Sequence, residues 1–147
     1  MYSINEPLRF DIPMKAMSCP RPRVAAGRAY MPTEYLQWKN TFKVIAKQQY
    51  KGPILEEPLF VEIQIIYQRP NSLMRKKDPA SRIFKTTKPD IDNLAKAVLD
   101  GLQDAKIIKD DSQVVGLIVH KWYGKKIEDK KSERNSIKID IYRISGE

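Results

Sequence analysis

The alternation of apolar and polar residues between positions 59 and 67 is the feature that most restricts the fold. Apolar side chains stand at every second position: Leu59, Val61, Ile63, Ile65 and Tyr67. Glu62, Gln64 and Gln68 fall on the other side of an extended chain. A period of two residues predicts a β-strand with one buried face, which must pack against a second layer.

Two segments with helical periodicity can supply that layer. The first is predicted to begin near Thr33, after Pro32, and to end at Gly52-Pro53. Its stripe, spaced by three and four residues, is Tyr35, Trp38, Phe42, Ile45 and Gln49. The second is predicted from about Asn93 to Asp104 and buries Leu94, Val98 and Leu102.

Three further strands are predicted from shorter patterns. Leu8–Ile12 alternates before Pro13, and residues 113–123 and 136–144 read as a hairpin joined by the charged stretch 125–134. The order is β-α-β-α-β-β, an α+β fold with a mixed sheet and helices packed against it. A chain of 147 residues and 17.1 kDa accommodates this as a single domain over 1–147.

The charge balance favours a polyanionic partner. Lys and Arg number 27 against 18 Asp and Glu, a formal charge of +9. Nucleic acid and an anionic membrane surface both fit such a balance. No apolar run approaches the roughly 18 residues of a membrane span, and the N-terminal residues lack the apolar core of a signal peptide. We therefore expect no membrane partner and a cytoplasmic location, in a bacterial or viral setting.

Cysteine and histidine are too scarce for most metal sites. Cys19 is the single cysteine and His120 the single histidine, which excludes an intrachain disulfide and argues against zinc. Any metal ion would need oxygen ligands.

Carboxylates concentrate between residues 88 and 114. Pro89 biases Lys88 toward an extended backbone, and if the chain stays extended, Asp90 and Asp92 share one face. Asp92 then occupies the predicted N-cap of the second helix, with Asp90 just outside it. Asp110 and Asp111 follow that helix, at the start of the next strand.

Three carboxylates around one point would suit Mg²⁺, a hard ion that prefers oxygen ligands. A helix of about 12 residues is roughly 18 Å long, so residues 105–111 must return along it before Asp111 can meet Asp90 and Asp92. In a basic chain, such a site indicates metal-assisted phosphodiester hydrolysis. The structural alternative is that these acids are helix caps and turns, with Asp100 and Asp104 on a solvated helix face or at the helix end.

The spacing of these residues resembles a known family. Residues 89–96 read PDIDNLAK, residues 98–102 read VLDGL and residues 109–114 read KDDSQV. Their order and spacing are similar to those of the RusA family of Holliday junction resolvases, endodeoxyribonucleases common in phages and prophages. Arg21-Pro22-Arg23, followed by Tyr30-Met31-Pro32, also resembles the opening of that family.

The resemblance implies roles for individual residues. Asp90 and Asp92 correspond to the Asp residues that bind Mg²⁺, and Asp111 corresponds to the third catalytic carboxylate. Lys96 corresponds to a lysine required for activity, and Asp110 matches an Asp of less clear role. The family fold is α+β and its members act as homodimers. Mg²⁺ is the expected cofactor, Mn²⁺ the alternative ion, and no small-molecule cofactor is implied.

Two basic stretches flank these acids and are predicted to contact DNA phosphates. Residues 15–28 contain no acid, and the loop 68–89, longer than in the family, carries seven basic residues against Asp78. The predicted DNA-binding residues are Arg21, Arg23, Arg75, Lys76, Lys77, Arg82, Lys85 and Lys88. The alternative is that these stretches are ordinary solvated loops.

The sequence thus predicts a Mg²⁺-dependent, structure-selective endonuclease that resolves four-way junctions as a homodimer. Lys96, one helical turn beyond Asp92, would stabilise developing phosphoryl charge or orient water. Two alternatives stay open: a non-catalytic protein that binds branched DNA, and a nuclease for flaps or forks.

Overall fold

A mixed β-sheet and two α-helices make up most of the computed structural model, which describes residues 1–146. The sheet strands are β1 (Tyr2–Ile4), β2 (Leu8–Ile12), β5 (Leu59–Tyr67), β6 (Ile83–Phe84), β7 (Val114–Tyr123) and β10 (Ser136–Gly146). Two hairpins lie outside it, β3 (Arg23–Ala25) with β4 (Arg28–Tyr30), and β8 (Lys126–Glu128) with β9 (Lys131–Ser132). The helices are α1 (Thr33–Gln49) and α2 (Ile91–Asp104). The predicted α+β fold is confirmed.

The long strand β5 occupies the centre of the sheet. Ile63 pairs with Ile139 of antiparallel β10 on one side and with Val119 of parallel β7 on the other. The predicted hairpin between β7 and β10 is therefore wrong, because β5 lies between them. Two parallel strands need a crossover connection, and α2 provides it between β5 and β7. Strand β10 then pairs with the other edge of β5.

The helices cover one face of the sheet. Sheet residues such as Ile63 and Ile139 pack there with Phe42 of α1 and with Leu94 and Val98 of α2. Each fully buried aliphatic side chain contributes roughly 1.5–3 kcal/mol. At Gly101 an added Cβ would lie 2.6 Å from the Phe42 ring, so α1 and α2 approach closely at this point. The buried face of α2 thereby fixes where its exposed face points. Within residues 1–146, neither helix has the length and hydropathy needed to cross a membrane.

One edge of the sheet is open. β6 pairs with β7 only at Trp122 and Tyr123, so residues 114–120 of β7 have no strand beside them on that side within the described chain. Leu117 and Ile118 on this stretch are exposed. An unpaired apolar strand edge is a ready site for pairing with another chain.

Candidate active site

Asp90 and Asp92 lie at the exposed start of α2. Asp90 is the N-cap residue, with an extended backbone and a carbonyl that accepts the Leu94 N–H at 3.2 Å. Asp92 lies in the first turn, where its Oδ1 accepts the N–H of Asn93 at 2.9 Å. Among the described residues, neither carboxylate has a cationic partner.

The prediction that Asp92 is the N-cap is wrong, because the helix begins at Ile91. An acid is favourable both at the cap and in the first turn, so the sequence did not distinguish the two registers. The sequence predicted an extended backbone from Asp90 to Asp92, which would place both side chains on one face. In the structure the extended backbone ends at Asp90, and Asp92 is helical. The two carboxylates nevertheless share the positive end of the helix dipole.

Lys96 lies one turn after Asp92 and is exposed. One turn further, Asp100 accepts hydrogen bonds from the Tyr35 hydroxyl at 2.7 Å and from the Lys39 ammonium at 3.3 Å. Burial and the Asp100 hydrogen bond raise the pKa of Tyr35, which keeps its hydroxyl a donor. Asp100 therefore ties α1 to α2, while its side chain stays 37% exposed.

Asp110 and Asp111 have separate roles at the other end of α2. Asp110 caps the short 3₁₀ helix Asp111–Gln113: its Oδ1 accepts Ser112 N–H at 3.0 Å, and its own N–H donates to Gln113 Oε1 at 2.7 Å. Asp111 is exposed, and its N–H donates to Gln103 Oε1 at 3.1 Å. A hydrogen bond with Asp110, burial and the charges of Asp110 and Asp100 raise the pKa of Asp111. Asp111 thus sits in negative potential, which a cation would relieve.

The three predicted metal ligands do not meet within one chain. Asp111 is held beside Gln103, which lies eleven residues after Asp92 on α2, about 16 Å along the axis. Residues 105–111 do not return along the helix as far as expected, because Leu55 forms a bridge with Ile108 and holds the segment beside the residues that precede β5. Within residues 1–146, no three acidic, histidine or cysteine side chains are grouped as a metal site.

Lys121 is a positioning residue that the sequence did not indicate. Its ammonium donates to the carbonyls of Thr87 at 2.7 Å and Pro89 at 2.6 Å. These bonds fix the segment that enters Asp90. In the sequence, the only indication of this role is that a lysine occurs within a strand that is mostly apolar.

The N-terminal basic segment begins beside the same helix end. The N–H of Cys19, a buried residue, donates to the Asn93 carbonyl at 3.0 Å. From there residues 21–30 are entirely exposed; Arg21 precedes the β3–β4 hairpin, and Arg23 begins it. A depression of about 350 Å³ lies at its base and is lined by Ser18, Lys88, Pro89, Asp90 and Asn93.

The loop 68–89 is ordered by a buried arginine. Arg69 donates to the carbonyls of Gly124 at 2.6 Å, Leu73 at 3.1 Å and Ser81 at 2.6 Å. Its guanidinium therefore closes the loop against the β7 end.

The structure divides the predicted DNA-binding residues of this loop into two groups. Arg75 is paired with Asp78, Arg82 with Glu133, and Lys85 donates to Thr87. Lys76, Lys77 and Lys88 are exposed and have no hydrogen bond or ion pair to a described residue. The free charge of the loop therefore lies mainly on these three lysines.

Comparison with known proteins gives a family match and a relative of similar length. The family described as "Endodeoxyribonuclease RusA" matches residues 13–140. The protein is also 33% identical to "Uncharacterized protein YqaN" of Bacillus subtilis, over 89% of this chain and 91% of that one. The match contains the acidic motifs, the basic loop and the helices that carry them.

The Arg82–Glu133 pair predicts a pH dependence of stability. The Glu133 carboxylate accepts Arg82 Nε at 2.8 Å and Nη2 at 2.9 Å, and these bonds, against the effect of burial, lower the pKa of Glu133 from 4.5 to about 2. The contribution is complete above pH 4.5 and is lost as the pH falls through about 2. Glu133→Gln should lower the free energy of unfolding at pH 7 by on the order of 1–2 kcal/mol and flatten its acid dependence.

Urea unfolding between pH 7 and pH 3 measures this effect. Glu128→Gln is the matched control, because Glu128 pairs with Lys131 at an exposed site where an ion pair contributes little. Equal losses in the two variants would contradict the assignment.

Proposed function

Because this chain belongs to the RusA endodeoxyribonuclease family, we propose that it resolves four-way DNA junctions by Mg²⁺-dependent hydrolysis of one phosphodiester in each of two opposed strands. One observation carries the proposal. Within residues 1–146, Asp90 and Asp92 are exposed at the start of α2 and form no ion pair, and Lys88 and Lys96, which form none there either, lie on either side of them in the sequence. Acids between cations suit a site where a metal ion and a phosphate must bind together.

The Asp90 and Asp92 side chains fit a divalent ion. Mg²⁺ takes hard oxygen ligands and commonly uses one or two carboxylates together with water and substrate phosphate. Both carboxylates are open to solvent, and no described cation neutralises them. When bound, Mg²⁺ would polarise the phosphoryl oxygen and lower the pKa of the attacking water, and Mn²⁺ could use the same ligands.

The lysines supply the positive charge that a phosphate needs beside two acids. Lys88 precedes the pair and would attract the scissile phosphate, whereas Lys96, one turn beyond Asp92, would stabilise charge that develops on its oxygens. Lys121 contributes by holding the Pro89 carbonyl and so the position of Asp90.

The DNA path follows the free basic residues. Exposed Arg21 and Arg23 at the β3–β4 hairpin, and exposed Lys76 and Lys77 on the loop, would add positive surface beyond the α2 start. Such residues neutralise phosphates and position the duplex arms of a junction.

A homodimer would complete the carboxylate set. The open edge of β7 runs from Val114, next to Asp111, toward Lys121, next to Asp90. If two copies pair these edges in antiparallel orientation about a two-fold axis, Asp111 of each comes toward Asp90 and Asp92 of the other. This arrangement also covers Leu117 and Ile118. Buried Cys19 would take no part in the interface.

Asp→Asn changes at positions 90, 92 and 111 separate catalysis from structure. Each should reduce cleavage of a labelled junction severely, because one charged metal ligand is lost. Junction affinity should stay level or rise, because a charge that repels phosphate is gone. Gel-shift and cleavage assays on each variant measure the two effects.

Asp104→Asn is the matched control, since Asp104 lies exposed on the same helix away from the acidic start. If Asp90 and Asp92 were only helix-start acids, their variants would cleave normally and lose at most about 1 kcal/mol of stability. Normal cleavage by both Asp92→Asn and Asp111→Asn would refute the carboxylate site.

The β7 edge gives a second prediction. Ile118→Lys should produce monomers in sedimentation and lose paired cleavage, because a lysine on the edge disfavours strand pairing. Ile127→Lys is the control: Ile127 is 63% exposed on the β8–β9 hairpin, against 56% for Ile118. Dimers of Ile118→Lys as stable as those of the control would exclude this edge as the interface.

Mixed dimers test whether Asp111 acts on the partner's site. Co-expressed Asp92→Asn and Asp111→Asn chains, each inactive alone, should regain nicking, because the mixed dimer contains one site with no substitution. With random assembly, about a quarter of the sites are intact. Differently tagged Asp92→Asn chains, mixed with each other, should stay inactive. No recovery in purified mixed dimers would mean that Asp111 acts within its own chain.

A further inference from the structure

A basic cavity of about 430 Å³ lies next to the depression that contains Asp90. It opens between the ends of β5 and β7 and the segment that leads into α2, and its lining includes Lys15, Tyr67, Gln68, Lys85 and Tyr123. Lys88 and Pro89 line both this cavity and the depression that contains Asp90. A strand of DNA at Asp90 could therefore continue directly into it.

The charge of the cavity favours an anion. Lys15, Lys85 and Lys88 contribute ammonium groups, and none of the residues that line the cavity is acidic. Burial opposes ionisation of Tyr123, but hydrogen bonds with Thr87 and Lys85 and the charges of Lys85 and Lys121 outweigh it and lower the pKa of Tyr123. The positive potential of these lysines therefore acts on the Tyr123 hydroxyl at the cavity wall.

The remaining wall is aromatic and amide in character. The Lys85 ammonium lies 5.3 Å from the ring centre of Tyr67 and 5.1 Å from that of Tyr123. The Tyr67 hydroxyl is buried and has no hydrogen-bond partner among the described residues. Gln68 and Asn135 add amide groups. A phosphate alone would use only the lysines, whereas a nucleotide uses the lysines, the ring and the amides.

We propose that this cavity binds one unpaired nucleotide of the DNA strand next to the scissile phosphate. Its phosphate lies among Lys15, Lys85 and Lys88, and its base meets Tyr123 and the amide of Gln68. The cavity volume lies in the roughly 300–1,000 Å³ range of small-ligand sites. The inference rests on the proposed function, since an unpaired nucleotide becomes available where strands exchange at a branch point.

Fluorescence of 2-aminopurine tests the proposal without any cleavage. The fluorophore replaces, one position at a time, each base around the exchange point of a four-way junction, and Asp92→Asn protein is added. Fluorescence should rise at one position in each of the two opposed strands that are cut, because that base leaves the stack. Lys15→Glu or Gln68→Glu, each added to Asp92→Asn, should abolish the rise and weaken junction binding by roughly tenfold.

Lys51→Glu is the control, since Lys51 is exposed after α1 and outside the cavity, and its replacement changes the net charge as much as Lys15→Glu and more than Gln68→Glu. It should keep the fluorescence rise. If wild-type protein cleaves junctions but no position brightens, or if Lys15→Glu, Gln68→Glu and Lys51→Glu all behave alike, the cavity proposal is overturned and the proposed function stands. If the protein neither binds nor cleaves junctions, both are overturned.

Discussion

The apolar packing of α2 is the interaction on which the site depends. Leu94, Val98 and Leu102 are fully buried against the sheet and α1, and the Tyr35–Asp100 hydrogen bond fixes the rotation of the helix from the exposed side. Because the apolar side chains of α2 face the sheet and α1, its polar side chains face outward. The helix start presents Asp90 and Asp92, its next turn Lys96, and its far end supports Asp111 through Gln103.

The candidate site places acidic side chains on a protein that is basic overall. A chain of formal charge +9 attracts DNA at long range, but carboxylates at the contact point repel phosphate. Among the residues that the structure describes, no cation pairs with Asp90 or Asp92, whereas Arg75 and Arg82 are paired with acids elsewhere. A divalent ion is the natural partner for such acids, and it would convert local repulsion into attraction only where cleavage is required.

Local patterns predicted the elements well, and long-range contacts account for the errors. Alternation in β5 and the stripe of α2 were readable because each residue's periodicity reports its own burial. The neighbours of β5 were not readable, because two apolar strands of similar pattern can take either side. Nor did spacing reveal that the Leu55–Ile108 bridge keeps Asp111 away from Asp90, or that Glu133 occupies Arg82. The motif identified the acidic residues, but it did not indicate whether Asp111 acts in its own chain or in the site of a partner chain.

Junction cleavage with both pairs of opposed strands labelled, with and without Mg²⁺, tests the central claim most directly. The acidic site on α2 predicts no product without the ion, and paired cuts at symmetric positions in opposed strands when it is added. Linear duplex, flap and fork substrates in the same series should be cut far more slowly. A protein that shifts the junction in a gel yet never cuts it with Mg²⁺ or Mn²⁺, or that cuts flaps and forks as readily as junctions, would contradict this account.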